Sequence, residues 1–194
     1  MDYGLALAEA PRRPAVFLDR DGVINARPQA HHYVTDYRDF HWTPAVAYQL
    51  GRLPTYLPLI VVTNQPCVGK GLISQKDLNS LHHWMTAWLD VLGVRIAGVY
   101  ACPHTEEDGC ECRKPKPGLL LQAAQDHAID LARSYMIGDS ACDAEAAWAA
   151  GVPSVYLILP EDGSDPCPAQ PQGEYWVVEE LASVVDAILA REAR

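Results

Sequence analysis

The sequence predicts an α/β fold, in which a Rossmann-like parallel sheet carries helices on both faces. Short apolar segments alternate along the chain with segments of helical spacing. The first apolar segment, 15–18, ends abruptly at Asp19, as expected for a buried parallel strand whose carboxyl end lies at the rim of a site. Strands and helices that alternate in this way form crossover units, which cover both faces of one sheet.

The individual elements follow from apolar runs and from local end signals. Predicted strands are 15–18, 57–62, 98–101, 135–137 and 154–158, with an edge strand at 176–178. Predicted helices are 44–53, 74–92, 119–127, 142–150 and 181–190. Ser74 and Asp77 resemble a capping box, and Gly151 ends the fourth helix. The apolar side of helix 74–92 is expected to enter the core through Leu78, Leu81, Met85, Trp88, Leu89 and Leu92.

Length and charge limit the classes of protein to consider. A chain of 194 residues suits a single domain, 1–194, with its core at about 14–159 and a C-terminal loop and helix at 160–194. The net charge of −10 argues against a nucleic-acid partner, although a local group of cations could still hold a small anion. We expect a monomer.

Hydropathy and cysteine content indicate the compartment. No segment approaches the roughly 20 apolar residues that cross a bilayer, so we expect a cytoplasmic protein without a membrane partner. In a reducing compartment, clustered cysteines hold metal more often than they form disulfides. Cys67, Cys142 and Cys167 lie outside the cluster of cysteines at 102–112, and we expect them to be free thiols. Nothing near His31, His32, His82 and His83 completes a metal set, so these are expected on the surface or on a helix face.

Polar residues that suit phosphate chemistry follow four separate strands. They are Asp19 and Asp21, Thr63 and Asn64, Arg113 and Lys114, and Asp139 with Asp143. Carboxylates at neighbouring strand ends repel one another unless a cation neutralises them, and an oxygen-rich site suits Mg²⁺. Lysine and hydroxyl groups in the same cleft suit a phosphate. Taken alone, the first of these segments could also be a solvated turn.

A second metal motif is the set Cys102, His104, Cys110 and Cys112 in the zinc loop, residues 102–112. Three cysteines and one histidine complete a tetrahedral Zn²⁺ shell, which leaves no open position for a reacting water. The motif therefore predicts a structural zinc that holds the loop. The alternative is a set of unrelated free thiols in a flexible loop.

The order DxDG, TN, lysine and GDxxxD over 15–158 resembles the haloacid-dehalogenase (HAD) superfamily of phosphotransferases. Residues 19–25 (DRDGVIN), 102–104 (CPH), 110–115 (CECRKP) and 117–118 (PG) are more narrowly similar to the D-glycero-D-manno-heptose 1,7-bisphosphate phosphatase group. Its nearest relatives are the histidinol-phosphate phosphatases.

The resemblance implies a covalent phosphatase that acts through an aspartyl-phosphate. Asp19 would be the nucleophile, Asp21 the general acid and then base, and Lys114 would neutralise charge in the transition state. The remaining roles implied are phosphoryl binding by Thr63 and Asn64, substrate binding by Arg113, and Mg²⁺ binding by Asp19, the backbone carbonyl of Asp21, and Asp139. Asp143 would orient loop groups or a metal-bound water, or would be an ordinary carboxylate at a helix start.

The resemblance also suggests a substrate. The spacing leaves no room for a cap domain, so the site should be largely uncapped, with the zinc loop as part of the substrate wall. We expect a small phosphorylated sugar, with removal of the C1 phosphate of a heptose bisphosphate. Alternatives are a phosphatase for histidinol phosphate or another small metabolite, and a zinc-stabilised binding protein with a disabled site.

Three departures from the group's pattern lie near the expected phosphate or sugar. Pro66 and Cys67 replace small residues, and the proline removes a hydroxyl and a backbone N–H. Lys70 replaces an arginine and keeps the charge without the bidentate fork. Ser140 stands where the group commonly has lysine. These positions put substrate identity and turnover in question.

Overall fold

The computed structural model describes residues 11–28, 32–160 and 163–194. The strands are β1 (Val16–Leu18), β2 (Leu59–Asn64), β3 (Ile96–Cys102), β4 (Tyr135–Gly138), β5 (Ser154–Ile158) and β6 (Tyr175–Val178). The helices are α1 (Val46–Gly51), α2 (Gln75–Val91), α3 (Gly118–Asp126), α4 (Ala141–Ala150) and α5 (Leu181–Glu192). Short 3₁₀ turns lie at Tyr37–Asp39 and Leu131–Arg133.

Within the described residues, the six strands form one parallel sheet in the order β3-β2-β1-β4-β5-β6. The chain builds outward from β1 to β3 and then returns to place β4 on the other side of β1. The direction of winding therefore reverses between β1 and β4. In open sheets of this kind, a ligand crevice forms at that point, outside the carboxyl ends of the strands.

The sheet is buried on both faces, as the apolar runs predicted. In and beside β1, Val16 and Leu18 point into one core while Ala15 and Phe17 point into the other, because side chains alternate along a strand. Helices α1, α2 and α5 pack against the first core, and α3 and α4 pack against the second. The α/β fold with helices on both faces is confirmed.

The element predictions hold with small shifts at the ends. Strand β2 continues through Thr63 and Asn64, which were expected just beyond it. Helix α2 begins after Ser74, whose hydroxyl accepts a hydrogen bond from the Asp77 N–H. The expectation that Leu92 packs in the core is wrong. Leu92 is the C-cap of α2 and is 51% exposed. The helix ends before it, so Leu92 no longer lies on the buried face of α2.

The connections around the site are short. Between β1 and β2 the described chain forms only a 3₁₀ turn and α1, and between β3 and α3 it forms the zinc loop. No inserted domain covers the carboxyl edge of the sheet in these parts of the chain, which agrees with an uncapped site. Across the described ranges, every helix is too short or too polar to span a membrane.

The N-cap of α2 yields a prediction on stability. Ser74→Ala removes the acceptor for the Asp77 N–H and should lower the free energy of unfolding by about 1 kcal/mol. Ser80→Ala is the matched control. Ser80 is also exposed but lies inside α2, where alanine favours the helix. Urea unfolding should separate the two variants, and an equal loss in both would contradict the cap.

Candidate active site

Three carboxylates converge in the crevice between β1 and β4. Asp19 follows β1, Asp139 follows β4, and Asp143 lies in the first turn of α4. All three residues are buried, and one carboxylate oxygen from each lies within 4.8 Å of the others. The sheet thus brings Asp19 and Asp139 together, although they are 120 positions apart in the sequence.

Lys114 lies against these carboxylates and is itself buried. Its ammonium donates to the Val62 carbonyl at 2.8 Å and to Asp143 Oδ1, and it forms an ion pair with Asp19 Oδ1 at 3.0 Å. Burial alone would lower the pKa of Lys114, but Asp143 and Asp19 outweigh it and raise that pKa. The lysine therefore stays charged and neutralises part of the acidic cluster.

Negative charge remains after Lys114 is counted. Burial, followed by the neighbouring carboxylates, raises the pKa of Asp19 to about 6, although Lys114 opposes this. Burial together with Asp19 and Asp143 raises the pKa of Asp139 to about 8. Asp139 Oδ2 is buried without a hydrogen-bond partner among the described residues, and its ion pair with Arg27 is 3.5 Å long. An unpartnered oxygen in a cluster of carboxylates fits a hard divalent cation.

Close backbone approach shapes this cluster. Gly22 has φ +89°, and a Cβ at that position would lie 2.0 Å from Asp139 Oδ2. A Cβ at Gly138 would lie 2.4 Å from the Cβ of Asp143. Any larger residue at either position would displace a carboxylate of the cluster.

The Asp21 carboxylate has a different environment. It accepts hydrogen bonds from the Arg20 guanidinium, from Asn25 Nδ2 at 2.8 Å and from Gln65 Nε2 at 2.9 Å. Burial raises the pKa of Asp21, but Arg20 and these amide donors outweigh it, so the pKa lies below its ordinary value. Sequence reasoning did not assign roles to Arg20 and Gln65. Both residues are adjacent in the sequence to motif residues, and this position was the signal that could have indicated a role for them.

Thr63 and Asn64 lie at the carboxyl end of β2, facing Lys114. Asn64 Oδ1 accepts from the Lys114 N–H and Asn64 Nδ2 donates to the Lys114 carbonyl, both at 3.0 Å. The amide of Asn64 thus holds the backbone of Lys114. Thr63 Oγ1 accepts from Gln65 Nε2 at 3.0 Å, which leaves its hydroxyl proton available to an anion.

Asp143 combines the two roles that the sequence left open. Its Oδ2 accepts from the backbone N–H groups of Asp139 and Ser140 at 3.2 Å and from the Ser140 hydroxyl at 2.7 Å, as a helix-start carboxylate does. Its Oδ1 accepts from Lys114. Ser140, a departure from the group's pattern, therefore completes the turn that orients Asp143.

The other departures lie in the loop that follows β2. Cys67 is buried, and Leu72 N–H donates to its carbonyl. The Lys70 ammonium donates to the Tyr33 hydroxyl at 2.7 Å and lies 5.1 Å from that ring's centre. Lys70 thus presents its charge at the rim of the loop. Pro66 contributes its carbonyl, which accepts from the Lys70 N–H.

The four predicted zinc ligands form a compact group beside this site. The Cys102 and Cys112 sulfurs are 3.2 Å apart, Cys102 and Cys110 are 3.6 Å apart, and His104 Nδ1 lies 3.2 Å from Cys112. Tetrahedral Zn–S bonds of about 2.3 Å place neighbouring sulfurs about 3.8 Å apart, so the set fits a zinc ion after a small expansion. These cysteines form no disulfide.

Arg113 lies between the zinc loop and Lys114. Its side chain is partly exposed, and Nη1 is 3.5 Å from the His104 carbonyl. It is not among the groups that contact the carboxylate cluster in the described structure.

The four histidines that the sequence placed on the surface or on a helix face differ in burial. His32 and His83 are exposed, and His31 lies outside the described residues. His82 is buried, and its Nε2 lies 3.2 Å from Arg20 Nη1.

Comparisons with known proteins agree with this geometry. The HAD-hydrolase-like family model (Hydrolase_like) matches residues 111–183. The chain is 38% identical to a Yersinia pestis D-glycero-beta-D-manno-heptose-1,7-bisphosphate 7-phosphatase, over 92% of this chain and 96% of that protein. A protein of the same name from Rhodopseudomonas palustris is 44% identical over 75% of this chain and 84% of its own length.

A solved structure is similar over most of its length. It is the D,D-heptose 1,7-bisphosphate phosphatase from B. bronchiseptica, complexed with magnesium and phosphate. Its TM-score is 0.82 at 31% identity, over 92% of this chain and 99% of that one.

The relatives' names also bear on the position of cleavage. They specify a 7-phosphatase, which contradicts the sequence-based expectation that the C1 phosphate is removed. The site geometry and the extent of these matches lead to one conclusion. This chain belongs to the D-glycero-beta-D-manno-heptose-1,7-bisphosphate 7-phosphatase family of HAD-like phosphatases.

Proposed function

We propose that the protein hydrolyses the C7 phosphate ester of D-glycero-β-D-manno-heptose 1,7-bisphosphate through an aspartyl-phosphate at Asp19. The observation that carries the proposal is the convergence of Asp19, Asp139 and Lys114 at the crevice between β1 and β4. Such a group can hold a phosphate beside a carboxylate nucleophile. The position of cleavage rests on the names of the relatives.

The first step is attack by Asp19 on phosphorus. Asp19 Oδ1 is held by Lys114 and by the Arg20 N–H at 2.7 Å, so we assign the attack to Oδ2. A bond forms from this oxygen to phosphorus as the bond from phosphorus to the sugar oxygen breaks. Asp21 gives its proton to the departing oxygen, which leaves as the C7 hydroxyl. A bound phosphate dianion raises the pKa of Asp21 and so favours the protonated form that this step requires.

The second step hydrolyses the aspartyl-phosphate. Asp21, now a carboxylate, takes a proton from water as the water oxygen attacks phosphorus. The bond from phosphorus to Asp19 breaks, inorganic phosphate leaves, and both aspartates return to their starting forms. The low pKa of Asp21 in the resting structure suits its role as a carboxylate base.

Cationic and hydroxyl groups hold the substrate. The Thr63 hydroxyl would donate to the phosphoryl oxygens, and the nearby Lys114 ammonium would neutralise their charge. Asn64 would keep Lys114 in position as well as contribute to that cradle. Arg113, at the junction with the zinc loop, would meet the second phosphate or a sugar hydroxyl. All of these groups come from one chain, so we propose that a monomer is sufficient for activity.

Two metals complete the proposal. Asp19, the backbone carbonyl of Asp21, and Asp139 would hold Mg²⁺, which supplies charge neutralisation for the carboxylates and the phosphate when it is bound. Cys102, His104, Cys110 and Cys112 would hold a structural Zn²⁺. The unpartnered Asp139 Oδ2 and the close set of sulfurs are the observations that support these assignments.

The function is tested by a panel of phosphorylated metabolites with and without Mg²⁺. The panel includes both anomers of the heptose bisphosphate, and histidinol phosphate as the alternative substrate. We expect Mg²⁺-dependent phosphate release, with a product whose remaining ³¹P resonance couples to the anomeric proton. A product that keeps its phosphate at C7 would overturn the proposed position of cleavage, and turnover of histidinol phosphate alone would overturn the proposed substrate.

The nucleophile assignment predicts a large loss in one variant. Asp19→Asn cannot form the acyl phosphate and should lower phosphate release by more than about 10³-fold with an unchanged circular dichroism spectrum. With Mg²⁺, beryllofluoride should be trapped by the native protein and not by this variant. Asp90→Asn, an exposed position on α2, is the control and should keep full activity. Retained turnover in Asp19→Asn would exclude Asp19 as the nucleophile.

The contact of Gly22 with Asp139 predicts an effect on Mg²⁺ binding. Gly22→Ala places a methyl group on Asp139 Oδ2 and should weaken Mg²⁺ affinity, measured by calorimetry, by about tenfold or more. Gly93→Ala is the control, because Gly93 has φ +83° with no atom within 4 Å of its added Cβ. It carries similar backbone strain and should bind Mg²⁺ as the native protein does. Equal affinities in both variants would count against Asp139 as a ligand.

The zinc motif predicts metal content and its loss. Elemental analysis should find ~1 zinc ion per chain, and Cys110→Ser should weaken zinc binding by at least about a hundredfold and lower the melting temperature. Cys167→Ser, outside the zinc loop, should change neither property. Zinc-free native protein with an unchanged melting temperature would remove the structural zinc from the proposal.

A further inference from the structure

Arg20, between the two aspartates of the first motif, is fully buried. A buried guanidinium is costly unless its donors find acceptors, because it cannot be deprotonated to avoid the charge. The partners of Arg20 therefore decide where its side chain can lie. The roles proposed for the neighbouring aspartates do not explain this residue.

Two groups accept from this guanidinium. Nε and Nη2 donate to the Asp21 carboxylate at distances of 2.8 to 3.1 Å, and Nη1 lies 3.2 Å from His82 Nε2. His82 projects from α2 and is 6% exposed. The guanidinium thus bridges a helix of the first core to Asp21.

The chemistry of this contact determines the form of His82. Arginine only donates, so His82 Nε2 must be the acceptor, and the imidazole must be neutral with its proton on Nδ1. The surroundings agree, since burial and then the Arg20 charge lower the pKa of His82 to about 3. An imidazolium at this position would repel Arg20.

Aromatic packing keeps both partners in place. The Arg20 guanidinium lies 6.0 Å from the centre of the Phe40 ring, and Phe40 packs edge-on against Trp84 of α2 at 5.4 Å. Trp42 stacks on Trp88 of the same helix at 4.0 Å. The segment before α1 thus closes over Arg20 and ties it to the helix that carries His82.

We propose that His82 is a positioning residue that, through Arg20, fixes the carboxylate of Asp21 for proton transfer. The inference rests on the role proposed above for Asp21. Arg20 also donates its backbone N–H to Asp19 Oδ1 at 2.7 Å, so a shift of this residue disturbs both carboxylates. Loss of the His82 acceptor leaves a buried donor without a partner, and the guanidinium then moves to find another.

Variants at His82 test this role by a split between kcat and KM. His82→Leu removes the acceptor and should lower kcat by about tenfold with KM changed by less than about twofold, because substrate contacts remain while proton transfer is misaligned. His82→Gln supplies a neutral acceptor and should recover most of the loss. His83→Leu, the same change at the exposed neighbouring position, should be indistinguishable from the native protein.

A stability control separates positioning from packing. Leu81→Ala removes a buried side chain of α2 that offers Arg20 no hydrogen-bond acceptor. It should lower the free energy of unfolding by about 2 kcal/mol or more while kcat stays within about twofold of the native value. If Leu81→Ala and His82→Leu lower kcat alike, or if Gln fails to recover more activity than Leu, the positioning role is wrong.

A spectroscopic measurement on the native protein is independent of activity and of any folding defect. Long-range ¹H–¹⁵N spectra at neutral pH should show His82 as the neutral Nδ1–H tautomer, assigned by the loss of its signal in His82→Gln. An Nε2–H tautomer or an imidazolium would overturn the inference.

If instead the native protein releases no phosphate from any substrate while the tautomer is as expected, the proposed function fails and the positioning role fails with it. Normal native turnover with unaffected His82 variants defeats the positioning role alone.

Discussion

Charge compensation in a buried crevice is the constraint on which the site depends. Asp19, Asp139 and Asp143 bring three carboxylates within 4.8 Å, and desolvation makes that arrangement unstable without positive charge. Lys114 supplies one cation from within the protein, and its three contacts also fix where the ammonium lies. The remaining negative charge favours a divalent cation, whose charge would in turn offset that of an incoming phosphate. We therefore expect the binding of the two to be coupled.

Two aspartates that are two residues apart experience opposite environments. Asp19 lies among carboxylates, and burial raises its pKa to about 6, whereas Arg20 and amide donors lower the pKa of Asp21. Environments that separate two carboxylates in this way allow one to act as nucleophile and the other in proton transfer. The separation depends on Arg20, whose backbone holds one aspartate and whose side chain holds the other. Arg20, which the motif leaves unassigned, thus contributes to the difference between the two carboxylates.

The sequence was sufficient to predict the convergence of Asp19 and Asp139, because strand periodicity places both at the same edge of a parallel sheet. The amide of Asn64 was beyond such reasoning, since its contact with the Lys114 backbone depends on the path of the irregular zinc loop. The buried position of His82 was within reach. It lies four residues after Leu78 and three before Met85, on the buried stripe of α2. An analysis of apolar spacing counts only apolar residues, so it passed over this histidine.

The zinc loop connects to the carboxylate cluster through the main chain. Cys112, at its end, lies two residues before Lys114, and Asn64 holds the Lys114 backbone from the neighbouring strand. The lysine is therefore anchored on one side by the β2 end and on the other by the cysteine cluster. Regular secondary structure is absent from the described chain between β3 and α3, so the fold alone does not fix this segment. A metal bound by four ligands would supply the rigidity that a buried ammonium needs to meet its three acceptors.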